Sequence, residues 1–180
     1  DRLQVVHLTR HPVSTAWSMV THHYFHQPPR DDDIEKKALL QPSDAGVRIG
    51  HHYMEMWDNL SSFEKCLYFW MEVTISIIRG YREWGVRWHQ TTFETLFLRD
   101  YRELSKLLEF LELEEDKGLY RQLEVRKDNY FFRTGVQVDP NLILKHPMVI
   151  KITKQLGYEP TDIDINALRK RYENQGRVWV

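Results

Sequence analysis

The stretch from Leu3 to Val20, LQVVHLTRHPVSTAWSMV, constrains the fold more than any other part of the sequence. A short apolar run without glycine or proline fills positions 3 to 8 and is typical of a buried strand. Pro12 cannot continue a central strand because it has no N–H to donate. Ser14 and Thr15, followed by apolar residues, are typical of a helix start. The stretch therefore predicts a strand, a sharp turn and a helix, with Arg10 at the carboxyl end of the strand.

This arrangement suits an anion. Ligands of open α/β sheets bind at the carboxyl ends of the strands, and a helix N-terminus offers unpaired N–H groups and a partial positive charge. Arg10 adds a planar set of donors that can hold a phosphate with two hydrogen bonds. Ser14 and Ser18 are four residues apart, so they share one face of the predicted helix. The alternative is a solvated arginine at the end of a strand.

A second unit of the same kind follows in the middle of the chain. The segment Val86 to Thr92 is typical of a strand, and Asp100 with Glu103 has the spacing of a capping box at the start of a helix. Two strands, each followed by a helix, favour a parallel sheet with crossover helices. We therefore expect an α/β fold.

Several helices are predicted outside these two units. Ser61 and Glu64 form a capping box, and apolar residues then recur at three- and four-residue steps to Tyr81, which predicts a long core helix. Cys66 belongs to this apolar face and is expected to be an inert buried thiol. Two further helices are expected over residues 142–156, interrupted by a proline, and 164–174.

Composition excludes several classes of function. The 180 residues carry a net charge of −1, so no overall basic field points to nucleic acid or an anionic membrane. Cys66 is the single cysteine, which excludes an internal disulfide and a multi-cysteine zinc site. No apolar run approaches the ~20 residues of a membrane span. The chain opens at Asp1 directly on a predicted core strand, so we expect a piece of a longer domain.

Residues 26–62 are the least regular part and are predicted to be a substrate-side insertion, with a plain surface loop as the alternative. Its brief apolar pieces predict one or two short helices. Aromatic residues in and before it would suit an apolar or sugar-like acceptor: Tyr24, Phe25, Tyr53 and Trp57. His22 and His26 have the spacing of a helical metal pair, but no further ligand pattern accompanies them. We therefore expect no metal.

Arg10-His11-Pro12, with Ser18 eight residues after the arginine, resembles a motif of sulfotransferases that use 3′-phosphoadenylyl sulfate (PAPS). In that family the motif reads Arg-Asp/Asn-Pro, five residues, then Ser, across a strand, turn and helix. The resemblance implies that Arg10 and Ser18 bind the 3′-phosphate of the nucleotide. The family also carries Tyr-Glu-Asp-Leu after a later strand, and Phe93 stands where its adenine-contacting tyrosine would be. Phe93 can stack on a base but has lost the hydroxyl donor.

A second segment resembles the same family. Cytosolic-type members have Phe-x-Arg-Lys-Gly in a loop around the 3′-phosphate, and Phe131, Arg133 and Gly135 match it. Thr134 replaces the lysine, which removes one cation but keeps a donor. Arg133 offers charge, and Gly135 lets a backbone N–H approach an oxygen.

Together the motifs imply a single partial sulfotransferase domain over residues 1–180, with a P-loop-NTPase-like fold whose N-terminal part is missing. They imply PAPS as co-substrate and a small-molecule or glycan acceptor. The loop for the 5′-phosphosulfate and the catalytic residues are expected upstream of this chain. A cytoplasmic location is expected, or the Golgi lumen if an upstream anchor exists. Two alternatives stay open, namely a P-loop kinase and a non-catalytic nucleotide-binding or interaction module.

Overall fold

A computed structural model describes residues 3–25, 39–96, 101–116, 118, 119 and 136–172. For residues 171 and 172 it describes the backbone alone. The fold is mixed α/β. The chain divides into two compact units, each made from two separate stretches. The first unit comprises Asp1–Arg10 with Ile77–Asn129, and the second comprises His11–Ser76 with Tyr130–Val180.

The first unit contains the sheet. Strand β1 (Gln4–Thr9) pairs in parallel with strand β2 (Arg87–Thr92), in a register that runs from Gln4 opposite Arg87 to Thr9 opposite Thr92. The predicted strands and their parallel pairing are therefore confirmed. The sheet that the described residues form has two strands.

The burial of β1 differs from the prediction. His7 and Thr9 are its buried residues, whereas Val6 and Leu8 are 39% and 50% exposed. The apolar run predicted a buried strand, and parallel strands are commonly buried on both faces. In the pair formed by β1 and β2, successive side chains alternate between faces, and the face that carries Val6 and Leu8 stays partly open.

Helices cover other parts of this sheet. The end of α2 (Ser62–Glu83) brings Tyr81 onto the Trp88 ring, with centroids 4.2 Å apart and planes 19° apart. A short helix α3 (Phe93–Leu96) follows β2 directly. Helix α4 (Arg102–Phe110) then buries Leu104 and Leu108, as its apolar spacing predicts. The predicted cap of α4, Asp100, lies outside the described residues, and the N-cap that the structure gives this helix is Tyr101, which makes no side-chain capping hydrogen bond.

The second unit begins with α1 (Pro12–Thr21), whose first residue is the predicted proline. Helix α2 starts with the predicted capping box. The Ser61 N–H donates to Glu64 Oε2 over 3.0 Å, and the Glu64 N–H donates to Ser61 Oγ over 3.3 Å. Cys66 is fully buried as expected. In the part of α2 that belongs to the first unit, Ile77, one of the apolar residues whose spacing predicts a core face, is 38% exposed.

The rest of the second unit consists of short helical pieces. Single 3₁₀ turns occupy Gly50–His52 and Trp57–Asn59 within the predicted insertion, whereas the brief helices were predicted on its apolar pieces at 38–40 and 53–57. Residues 26–38 of that insertion lie outside the described part. A 3₁₀ helix (Pro140–Lys145), α5 (Pro147–Gln155) and α6 (Ile165–Tyr172) follow in the predicted places. Within the described ranges, no helix has the length and apolar character needed to cross a membrane.

Candidate functional site

The carboxyl ends of β1 and β2 bring two predicted site residues together. Because Thr9 lies opposite Thr92, the next residues of the two strands are Arg10 and Phe93. The guanidinium carbon of Arg10 lies 5.0 Å from the centroid of the Phe93 ring. This is a cation–π contact. The predicted phosphate-binding arginine and the predicted base-stacking ring therefore lie side by side at one edge of the sheet.

Local hydrogen bonds fix this edge. The Thr9 hydroxyl donates to the Thr91 carbonyl over 3.3 Å, which ties the ends of the two strands together. Thr92 caps α3, since its hydroxyl accepts the Thr95 N–H over 3.0 Å and also hydrogen-bonds the Thr95 hydroxyl. Phe93 is thus held between a paired strand and a capped turn.

Ser18 lies on α1, in the second unit. It is half-buried, and Ser14 on the preceding turn is buried. Their shared helix face is as predicted. That Arg10 and Ser18 hold one phosphate stays a prediction.

The structure describes the residue that follows the second motif but not the motif itself. Phe131, Arg133, Thr134 and Gly135 lie outside the described residues. Val136 follows Gly135 in the chain, and its carbonyl accepts the indole N–H of Trp17 over 2.8 Å. Trp17 is fully buried in α1 and directly precedes Ser18. The residue next to the second motif is therefore anchored one residue from the serine of the first.

The aromatic residues predicted to face an acceptor pack against α2. The Trp57 ring meets Phe25 edge to face at 5.5 Å and Tyr68 at 5.2 Å, and the Tyr53 ring lies 4.9 Å from Tyr68. Tyr24 approaches Phe69 at 6.4 Å. The predicted residues thus contribute to a packed aromatic cluster in which Tyr53 is buried.

A feature that sequence reasoning missed is a buried polar stripe on α2. Glu64, Tyr68 and Glu72 recur every four residues, so they share one face of the helix. We call them the polar stripe. All three are buried. An i, i+4, i+8 repeat of polar residues inside an apolar helix face was the signal that could have revealed them.

The polar stripe holds the segment of residues 48–61, here called the strap. The Glu72 carboxylate accepts the backbone N–H groups of Arg48 and of Ile49, the latter over 3.1 Å. At the other end, Glu64 accepts the Ser61 N–H and hydroxyl. Tyr68 packs between these points, and burial next to Glu72 raises the pKa of its hydroxyl. The stripe therefore fixes the strap at both ends.

His146 completes this network. Its Nε2 lies 3.2 Å from Glu64 Oε1, and its Nδ1 lies 3.4 Å from the Tyr53 hydroxyl. Burial acts to raise the pKa of Glu64, but hydrogen bonds from Ser61 and His146 outweigh it and lower that pKa. Burial raises the pKa of Tyr53 to about 12. Tyr53, His146 and Glu64 are all buried, so the network holds the strap rather than facing a substrate.

The histidines considered as metal ligands do not form a described site. His26 lies outside the described residues. His51 and His52 are exposed, with ring centroids 3.9 Å apart. In the part of the chain that the structure describes, no three metal-binding side chains group together.

No family model matches the chain, and no curated protein and no solved structure is significantly similar to it.

Proposed function

We propose that the chain is the 3′-phosphate-binding part of a PAPS-dependent sulfotransferase with a P-loop-like fold. The observation that carries this proposal is the hydrogen bond from Trp17 to Val136. It joins the neighbourhoods of two motifs that are more than a hundred residues apart in sequence. Neither motif alone is specific, and a shared location is what a common ligand would require.

The contact between Arg10 and Phe93 supports the same proposal. A nucleotide carrying a 3′-phosphate presents an anion and a flat base, and the arginine and the phenylalanine match these two groups. Their place after two parallel strands is where α/β sheets bind nucleotides.

In the proposed reaction the sulfuryl group leaves the phosphosulfate of PAPS and forms a bond to an acceptor hydroxyl or amine. Adenosine 3′,5′-bisphosphate is the leaving group, and a base outside the residues assigned here removes the acceptor proton. By analogy with phosphoryl transfer, positioning and charge neutralisation supply most of the catalysis. Arg10, Ser18 and the 133–135 loop bind and orient the nucleotide.

The test is calorimetric binding of adenosine 3′,5′-bisphosphate to the full-length protein, compared with 5′-AMP. The two ligands differ in the 3′-phosphate alone. Tighter binding of the bisphosphate is expected, and Arg10→Ala should remove most of the difference, by about 2 kcal/mol for a lost charge-assisted contact. Equal binding of the two ligands would refute the proposal. Tighter binding of ATP with magnesium would instead favour the kinase alternative.

Arg87→Ala is the matched control. Arg87 also stacks on an aromatic ring, with its guanidinium carbon 5.4 Å from the Phe110 centroid. It lies in the same unit, but at the start of β2 rather than after its end. The Arg87 variant should bind both ligands as the wild type does.

A further inference from the structure

Lys65 places a cation where its surroundings disfavour one. It lies in the first turn of α2, at the positive end of the helix dipole. The residue is 8% exposed. Among the described residues, no carboxylate and no hydrogen-bond acceptor pairs with its ammonium. The neighbouring Glu64 carboxylate is engaged by Ser61 and His146 instead. Because lysines are rarely buried without a paired charge, the cation lacks its usual compensation.

The ammonium lies on the Trp57 ring. Its nitrogen is 5.2 Å from the ring centroid, which is a cation–π contact. Trp57 belongs to the strap and is half-buried, so part of its ring reaches the surface. The Lys65 ammonium is not among the fully buried polar atoms that lack a partner in the described residues, so it keeps an opening to solvent.

The ring of Trp57 is held in place from the side of α1. Phe25 meets it edge to face at 5.5 Å, and the Ser62 hydroxyl donates to the Phe25 carbonyl over 3.0 Å. Phe25 has φ +54°, a left-handed conformation that is unfavourable for a bulky residue. Backbone strain of this kind clusters at functional sites.

The chemistry of this pair suits an oxyanion attached to a ring. A carboxylate or sulfate oxygen can accept a charge-assisted hydrogen bond from the Lys65 ammonium. It would also gain from the positive end of α2. The ring of such a ligand can pack on the exposed part of Trp57. A cationic ligand would instead be repelled by the ammonium.

We propose that Lys65 and Trp57 form a subsite for an oxyanion carried by the acceptor, so that the acceptor class is an anionic ring compound. The assignment of this ligand as the sulfuryl acceptor rests on the proposed function, whereas the oxyanion subsite does not.

The first experiment is calorimetric binding to the full-length wild type without nucleotide. The probes share one phenol ring and differ in charge: para-hydroxyphenylacetate, its neutral methyl ester, and cationic tyramine. The anion should bind about tenfold more tightly than the ester, the factor expected from one charge-assisted hydrogen bond, and tyramine should bind most weakly. Equal affinities for the anion and the ester overturn the proposal. Acetate, which has the charge without the ring, should bind more weakly than the aromatic anion, and equal binding of the two overturns the assignment to a ring compound.

Lys65→Met removes the charge and keeps an apolar stem against Trp57. The affinity for the anion should fall about tenfold to that for the ester, which should not change, and Lys65→Arg should restore most of the loss. Lys154→Met is the matched control, because its ammonium lies in the same unit but is exposed and faces Glu159 over 3.5 Å. A Lys65→Met variant that unfolds at lower urea yet binds all three probes as the wild type does would show that the cation merely packs on the indole, and would overturn the proposal.

The second experiment adds PAPS and measures sulfuryl transfer to the phenol hydroxyl. Lys65→Met should raise KM for the anion about tenfold and leave kcat unchanged, since the contact binds the ground state and the transition state alike. Transfer to the anion and the ester with equal KM overturns the subsite. Charge-selective binding of the anion without any transfer from PAPS supports the subsite and refutes the proposed function.

Discussion

The His146 ring bridges Glu64 and Tyr53, with Nε2 3.2 Å from the Glu64 carboxylate and Nδ1 3.4 Å from the tyrosine hydroxyl. The histidine precedes α5, the glutamate opens α2, and the tyrosine lies in the strap. One buried side chain therefore connects its own segment to two neighbouring segments that lie more than eighty residues earlier in the chain. Because these hydrogen bonds are buried, where the low dielectric strengthens them, they should contribute to the stability of the second unit.

Replacing His146 with alanine should destabilise the protein by about 2–3 kcal/mol, since the buried Glu64 Oε1 and the buried Tyr53 hydroxyl both lose their contact with the imidazole. Urea unfolding measures this difference. His89→Ala is the comparison, because His89 faces Glu103 at 3.4 Å in a more exposed setting. An equal loss in the two variants would contradict the role given to His146.

The lowered pKa of Glu64 makes its contribution pH-dependent. A carboxyl group with a lower pKa in the folded state stabilises the fold above its unfolded pKa. That contribution is lost as the pH falls through the folded value. The stability advantage of the wild type over Glu64→Gln should therefore be complete above about pH 5 and shrink below the ordinary value of 4.5. An advantage that stays constant down to pH 3 would be inconsistent with this pairing.

Glu72→Ala should release the start of the strap. The Arg48 and Ile49 N–H groups lose their carboxylate acceptor, so their hydrogen exchange should become faster, and stability should fall by about 2–3 kcal/mol. Exchange measured by mass spectrometry on peptides covering residues 48–53 reports the release. Glu83→Ala, an exposed glutamate at the end of the same helix, should leave both quantities unchanged.

Trp17→Phe tests the hydrogen bond that holds Val136, the residue next to the second motif. The expected change in nucleotide affinity rests on the proposed function. The variant keeps a buried aromatic ring but removes the N–H that donates to Val136. Affinity for adenosine 3′,5′-bisphosphate should fall about fivefold, as expected for one lost hydrogen bond. Trp84→Phe is the control, because Trp84 is 76% exposed. Unchanged affinity in the Trp17 variant would show that this hydrogen bond does not contribute to nucleotide binding.

Cys66 should be unreactive in the folded protein. Burial raises the pKa of its thiol, which suppresses the thiolate. A thiol reagent such as DTNB at pH 8 should modify the native chain far more slowly than the urea-unfolded chain. Because Cys66 is the only cysteine, the colour change reports this residue alone. Rapid reaction of the native protein would show that the core of α2 opens readily.

Local patterns in the sequence were sufficient to predict most of the helices and strands. The Ser61 and Glu64 capping box, the proline that starts α1 and the strand before Phe93 were all predicted from neighbouring residues. Such signals are short-range, because capping and turn chemistry involve residues a few positions apart.

Long-range partners were not predictable in the same way. Glu72 has the same sequence context whether it faces water or two buried N–H groups of the strap. The burial of His7 beside exposed Val6 and Leu8 depends on what covers each face of the sheet. In the candidate site, the contact between Arg10 and Phe93 follows from the parallel pairing of the two strands that precede them. The hydrogen bond between Trp17 and Val136 could not be predicted, because no pattern in the neighbouring residues indicates it.

The pairing of β1 with β2 has a consequence for synthesis on the ribosome. Gln4 pairs with Arg87, so more than eighty residues must emerge before β1 finds its partner. Most of the second unit lies between the two strands and can begin to form first. Until then β1 lacks this partner and carries the exposed apolar residues Val6 and Leu8, the kind of segment that aggregates or recruits chaperones. Slow translation beyond residue 92 would not shorten this exposure, whereas slow translation before it would prolong it.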